Sequence, residues 1–196
     1  MTQSAYSSRN MQDPVEEFCT RFSKQAGMIY PAKTPEEVVS LVNGLIKTRG
    51  KGESCCSSVI QLSHNGLTRN ISSQINATLD LENFRKTPLK AAGMLDVGIT
   101  KAEYGIAETG SIVDVSYTDE HRLLSSFSRV HIAVLERSSI LAKLSMLSPK
   151  IEELLRADAR PKPAITFIGG PSRTSDIELK SVLGVHGPHE VHVVLL

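Results

Sequence analysis

The chain has 196 residues, 40% of them hydrophobic and 22% charged, with 22 Lys and Arg against 21 Asp and Glu. The resulting formal charge of +1 argues against a general nucleic-acid binder and against an acidic solvating tail. No run approaches the roughly 20 apolar residues that span a bilayer, so membrane insertion is not expected. The three cysteines, Cys19, Cys55 and Cys56, include no Cys-x-x-Cys pair and match neither a disulfide framework nor a zinc or iron–sulfur ligand set. The N-terminus is polar, unlike a secretory signal, and a reducing cytoplasmic setting is the simplest expectation.

Residues 1–12 are rich in Ser, Gln and Asn and read as a flexible tail. Asp13-Pro14 with Glu16 then signals a helix start, and Val15, Phe18 and Phe22 recur at helical spacing up to Gly27. Met28-Ile29-Tyr30 reads as a short strand. Thr34-Pro35-Glu36-Glu37 repeats the start signal ahead of Val38, Leu41, Val42, Leu45 and Ile46, with Gly50 as the stop. Residues 51–90 are polar and glycine-rich; a strand near 55–61 and mixed loop and helix after it are expected, with a helix from Thr87-Pro88 to about Leu95.

From Val97 the punctuation sharpens. Thr100 with Glu103 predicts a capping box. Tyr104–Ala107 and Ser111–Val115 are short apolar segments around Glu108-Thr109-Gly110, where the glycine marks a tight turn or close backbone approach. Val130–Leu135 reads as a strand buried on both faces, Pro149 as the opening of a helix, and Ala164–Ile168 and Val191–Leu196 as further buried strands. The alternation predicts an α/β fold with a mostly parallel sheet flanked by helices and an N-terminal helical arm. No internal repeat or linker is visible, so residues 13–196 are expected to form one α/β domain.

Three constellations bear on chemistry. In Phe167–Glu178, a strand runs into Gly169-Gly170, then Ser172, Arg173 and Thr174, then a short helix holding Asp176 and Glu178. Glycines permit close backbone approach, free N–H groups at a helix start attract anions, and Arg173 suits a carboxylate or phosphate. The plain alternative is a capped turn. Around Glu108, the carboxylate is either a base or nucleophile, or a cap on a neighbouring loop paired with Arg122 or Arg173. Of the six histidines, His186, His189 and His192 are close in sequence, but strand alternation and Gly187-Pro188 separate them, so no metal site is expected. His186 is the better ligand contact, and His131 reads as a hydrogen-bonded core histidine. Cys55 and Cys56 read as buried small hydrophobes. Arg122 either reaches into a site or is solvated.

The segments Val97–Val113 (VGITKAEYGIAETGSIV), His121–Glu136 (HRLLSSFSRVHIAVLE) and Thr166–Leu196 (TFIGGPSRTSDIELKSVLGVHGPHEVHVVLL) together resemble the lactate-utilisation (LUD) domain family. The resemblance is strong over residues 90–196 and weak before them. It implies a fold like that of sugar-phosphate isomerases and CoA transferases, with the site at strand ends. It also implies a part in oxidising L-lactate to pyruvate beside iron–sulfur oxidoreductase subunits. The family motif falls on Thr100, Glu108, Thr109, Gly110, Arg122, Gly170, Ser172, Arg173, Asp176, Glu178, Gly184, His186, Gly187 and Pro188. His189 stands where Arg or Lys is usual, and Lys101 where Gly is common.

On this resemblance Glu108, Asp176 and Glu178 are the catalytic candidates. Thr100, Thr109, Gly110, Arg122, Gly169, Gly170, Ser172, Arg173 and His186 are the ligand-binding candidates for a small carboxylate or phosphate. No cofactor is expected on this chain, because iron–sulfur clusters need cysteine-rich motifs and would sit on partner proteins. A homo-oligomer is compatible with the sequence. Two other classes stay open: a stand-alone isomerase- or CoA-transferase-like enzyme, and a non-catalytic binding module.

Overall fold

The computed structural model describes residues 13–51, 54–80, 86, 95–156, 162–175, 181–183 and 187–196. The expected tail (1–12) and the expected helix at 87–95 lie outside these, apart from Leu95 itself.

Helix α1, Pro14–Lys24, starts where Asp13 accepts the Val15 N–H at 3.0 Å. Its apolar stripe buries Phe18 and Phe22, whose rings stack with centroids 5.6 Å apart. Helix α2, Pro35–Arg49, starts where Thr34 Oγ1 accepts the Glu37 N–H, and buries Val38, Val42 and Leu45. Helices α3, Asp119–Ser126, and α4, Ser148–Arg156, follow in the second half.

The strands in chain order begin with β1 Met28–Pro31, β2 Cys55–Ser57, β3 Gln61–His64, β4 Leu67–Asn70, β5 Leu79–Asp80, β6 Val97–Lys101 and β7 Tyr104–Ile106. They continue with β8 Ser111–Ser116, β9 Val130–Leu135, β10 Ile140–Leu141, β11 Ala164–Ile168, β12 Arg173–Ser175, β13 Ser181–Leu183 and β14 Glu190–Leu195. Six of them form a fully parallel central sheet in the order β1-β14-β9-β6-β2-β5. A second sheet, β10-β7-β8-β11, is mainly antiparallel.

All six residues of β9 are buried. On one face Val130, Ile132 and Val134 join Val97, Ile99, Val194, the α2 residues and Leu62 of the β3–β4 hairpin. On the other, Ala133 and Leu135 join Val191, Val193 and Leu195 with Phe18 and Phe22 of α1 and Ile112 of β8. The second sheet and α1 therefore cover one face of the central sheet, and α2 and the hairpin cover the other. α3 packs close against β6: a side chain at Gly98 would collide with the Leu124 carbonyl and lie 2.9 Å from Ser128 Oγ.

Several expectations need correction. Thr100 and Glu103 do not cap a helix; Thr100 lies inside β6 opposite Ala133 of β9, and the Glu103 N–H donates to the Val113 carbonyl of β8. The strand expected over 55–61 ends at Ser57, and a hairpin follows, turning at Asn65-Gly66 with φ of 51° and 74°. Asn-Gly is the residue pair such a turn favours. β11 is not a buried parallel strand: it pairs antiparallel with β8, and Phe167 is 48% exposed. Arg173–Ser175 pairs with Ser181–Leu183 as an antiparallel ribbon, and the short helix expected to hold Asp176 and Glu178 lies outside the described residues.

Replacing Phe22 by Ala removes a fully buried ring where α1 meets the central sheet, and should cost about 3–5 kcal/mol. Urea unfolding measures this; an unchanged midpoint would show that α1 is not held there by that ring.

Candidate functional site

The sequence motifs converge at the end of α1. Gln25 Nε2 donates to the carbonyls of Thr109 (2.9 Å) and Gly110 (3.0 Å), and so holds the turn between β7 and β8. Gly110 has φ of 62°, and a Cβ there would sit 2.5 Å from Arg21 Cβ. The loop after β11 comes to the same place: Gly170 has φ of 150°, and its Cβ would sit 2.5 Å from the Gln25 carbonyl. Only glycine meets both demands without strain. Gln25, Gly169, Gly170 and Pro171 line an open pocket. The loop continues to Ser172, whose N–H donates to the Pro188 carbonyl (2.9 Å), and a Cβ on Gly187 would lie 3.0 Å from Ser172 Cβ.

This cradle stands at the carboxyl end of β11 but at the amino edge of the central sheet. Gln25 immediately precedes β1, Gly187 and Pro188 precede β14, and the His189 N–H bonds to the Arg129 carbonyl just before β9. The usual carboxyl-end crevice of a parallel sheet lies at the opposite edge. There Lys101 Nζ pairs with Glu136 Oε1 at 3.0 Å, at the ends of β6 and β9, and the Ser63 N–H also reaches Glu136. Neither residue was singled out as a site candidate from sequence. The available signal was their position directly at the ends of buried strands.

Among the other candidates, Glu108 is exposed and its Oε2 accepts the Leu144 N–H at 2.9 Å, which caps the short 3₁₀ turn Leu144–Leu147. Arg122 is about half exposed and pairs with Asp119 on its own helix. Thr100 is fully buried, and its hydroxyl meets His131 Nε2 at 2.9 Å. Arg173 opens β12. Asp176, Glu178, Gly184 and His186 lie outside the described residues.

The structure also shows a buried polar layer between the two sheets. Thr100 and His131 contribute from the central sheet, Asp114 and Ser116 from β8, and each is at most 1% exposed. His121 on α3 approaches Asp114, with Nε2 3.3 Å from Oδ1. Burial pushes the His131 imidazole down to about 4, against the pull of the Asp114 charge and with a further push from His121 and His192. His192, expected to face away from His189, is buried; it bonds Glu190 Oε2 at 2.9 Å and Tyr30 Oη at 3.2 Å, whereas His189 is exposed. Burial lowers the His192 pKa, and the Glu190 carboxylate opposes that shift. Cys55 and Cys56 are buried free thiols, and burial pushes Cys55 up to about 12.

Residues 15–196 match the LUD domain family. Over 144 residues the chain is 32% identical to YkgG of Escherichia coli K12, covering 74% of this chain and 62% of that protein. Over 108 residues it is 34% identical to lactate utilization protein C of Bacillus subtilis, covering 55% and 45%. Against the Bacillus pumilus protein of the same name it is 28% identical over 160 residues, covering 79% and 67%. The chain thus spans about half to two thirds of the length of these curated relatives. A crystal structure of a DUF162 family protein from Deinococcus radiodurans shares the fold, with a TM-score of 0.59 at 17% identity over 93% of this chain and 95% of that one.

Two outcomes follow from this geometry. Gln25→Ala removes the amide that ties the Thr109–Gly110 turn and should lower stability by about 1–2 kcal/mol in urea unfolding. A change within error would mean the turn is held by its own backbone. For His131 the folded pKa is below the unfolded one, so the unfolded state binds the extra proton. The stability it contributes is complete above about pH 6.5 and is lost as pH falls toward 4, a loss on the order of 3 kcal/mol. Chemical unfolding across that window should show the slope, and His131→Asn should flatten it.

Proposed function

We propose that this chain, which belongs to the LUD domain family, works in lactate utilisation as a component that binds a small carboxylate and leaves electron transfer to iron–sulfur partner proteins. The observation that carries this reading is the convergence of Thr109-Gly110, Gly169-Gly170-Pro171 and Ser172 with Gly187-Pro188 at one edge of the fold. A glycine-built, open backbone cradle suits a small anion better than a large apolar ligand. The substrate class comes from the relatives called lactate utilization protein C.

Oxidising lactate to pyruvate removes two electrons and two protons, one proton from the hydroxyl and one from the carbon that bears it. An iron–sulfur cluster takes up to four thiolates, and this sequence has three cysteines. Burial makes two of them poor thiolates: Cys55 is pushed up to about 12 and Cys19 is raised. In this reading the electrons therefore pass to clusters on partner chains in a reducing cytoplasm. Arg173, one residue past Ser172 in sequence, is the candidate for the substrate carboxylate, because a guanidinium can hold a carboxylate by two parallel hydrogen bonds. Glu108, Asp176 and Glu178 are the candidate acid–base groups, and His186 is a further candidate for ligand contact.

Anaerobic affinity purification from the native cells, with iron and lactate-dependent dye reduction assayed on the eluate, tests the proposal. The expected result is co-purifying iron–sulfur proteins and dye reduction that falls about 10- to 100-fold in Arg173→Ala, the loss of a charge-assisted hydrogen-bonded pair. An iron-free, inactive single protein that is thermally stabilised by CoA esters or sugar phosphates, and not by lactate, would reassign the chain to a stand-alone isomerase- or CoA-transferase-like enzyme.

A further inference from the structure

The polar layer between the sheets is not used by the glycine cradle, and its composition is unusual for an interior. Along β8, Val113 turns to a separate apolar cluster with Tyr104, Leu147 and Ile165, whereas Ile112 packs against the central sheet. Asp114 and Ser116 are buried on the same strand, and by alternation they share the face of Ile112. A carboxylate is thereby carried into the interior, where it needs donors. Among the described residues, neither Asp114 oxygen makes a hydrogen bond, nor do Ser116 Oγ, His121 Nε2 or His131 Nδ1. His121 Nε2 is near Asp114 Oδ1, at 3.3 Å, without completing a bond. Buried polar groups in folded proteins are satisfied, so this group of atoms calls for a polar occupant.

The layer is closed except at His121, whose side chain is 18% exposed on the first turn of α3. The far end of α3 reaches the motif loops: a Cβ on Gly187 would lie 3.7 Å from the Ser126 carbonyl. One short helix thus links the Asp114–His121 pair to the neighbourhood of Ser172. The groups do not suit a metal ion: among the described residues, no three His, Cys, Asp or Glu side chains are arranged to hold one. They suit a hydrogen-bonding molecule that offers a hydroxyl.

We infer that Asp114 and His121 form an acid–base pair that receives the hydroxyl of a small 2-hydroxy acid. His121 is the group that touches the substrate, and Asp114 positions it. The Asp114 carboxylate favours a proton on the facing Nε2, which leaves Nδ1 as the acceptor. In the step assigned to the pair, the substrate O–H bond breaks, its electron pair stays on oxygen, and the proton forms an N–H bond at His121 Nδ1. The imidazolium so formed is stabilised by Asp114, as in other carboxylate–histidine pairs. No electron leaves the substrate in this step, so it requires no oxidant.

The inference rests on the hydroxy-acid reading of the preceding section and is tested on the full chain by NMR with ¹⁵N-labelled histidine. The probes are L-lactate and propionate, which lacks the hydroxyl. The expected result is that lactate shifts the His121 ring nitrogens and binds the wild-type chain at least tenfold more tightly than propionate. His121→Gln should weaken lactate at least tenfold and leave propionate within twofold. Asp114→Asn, which removes the positioning carboxylate, should weaken lactate at least fivefold and shrink the His121 shift in proportion, with propionate within twofold; should that variant fail to fold, the His121→Gln comparison decides alone. Lactate and propionate binding alike, or lactate bound within twofold by His121→Gln, would overturn the pair and leave the lactate reading standing. No binding of lactate to the wild-type chain or its purified complex would overturn both.

Discussion

The central constraint is that β9 lies between β6 and β14 and is buried on both faces. Each of its six side chains must be apolar or find a partner inside the protein. Four are aliphatic and Ala133 is small, which leaves His131 as the exception. An unsatisfied buried polar group costs roughly 1–3 kcal/mol, so His131 fixes its neighbours. Thr100, two residues along β6 from Gly98, the register partner of His131, reaches the ring, and the imidazole is kept neutral. The facing sheet answers with Asp114 and Ser116 rather than with more aliphatics. Where β9 needs no polar partner, at Ala133 and Leu135, the same interface is filled by Phe18, Phe22 and Ile112.

The two edges of the central sheet are built differently as a consequence. At the carboxyl edge the strand ends are closed by the Lys101–Glu136 pair and by the hairpin through Ser63. At the amino edge Arg129 bonds Asp96 and the Arg49 carbonyl, while its own carbonyl accepts from His189 and Glu190. That edge is firmly tied, and the second layer delivers its glycine-rich loops there. They approach so closely because Gln25 presents both an amide and a carbonyl to them. An ordinary side chain at Gly110 or Gly170 would hold the loops apart.

What was legible in the sequence was local. Asp13-Pro14 and Thr34-Pro35-Glu36-Glu37 specify the starts of α1 and α2 because capping is an interaction over three or four residues. The continuous apolar runs at 130–135 and 191–195 specify buried strands because only a parallel sheet covered on both faces tolerates them. The misreadings share a cause. Thr100-Lys101-Ala102-Glu103 carries the residues of a capping box, yet β9 and β8 claim its backbone. Ala164–Ile168 is apolar enough for a core strand, yet among the described residues it pairs with β8 alone, at the edge of the second sheet, and Phe167 is 48% exposed.

The sequence by itself determined that the chain is an α/β protein, where its two long helices begin, which strands are buried, and which short motifs carry its family likeness. Periodicity, capping and turn chemistry act between near neighbours, so they are written in order along the chain. Only the tertiary structure decided that the Thr109-Gly110 turn and the Gly169-Gly170 loop meet at Gln25, and that they do so at the amino edge of the sheet. It alone set Glu108 as a cap on a neighbouring turn and brought Asp114 to His121 beside His131. These contacts join segments tens of residues apart, and they follow from which strands pair and which faces are covered. That choice is made by the free energy of the whole packed layer, not by any local stretch of residues.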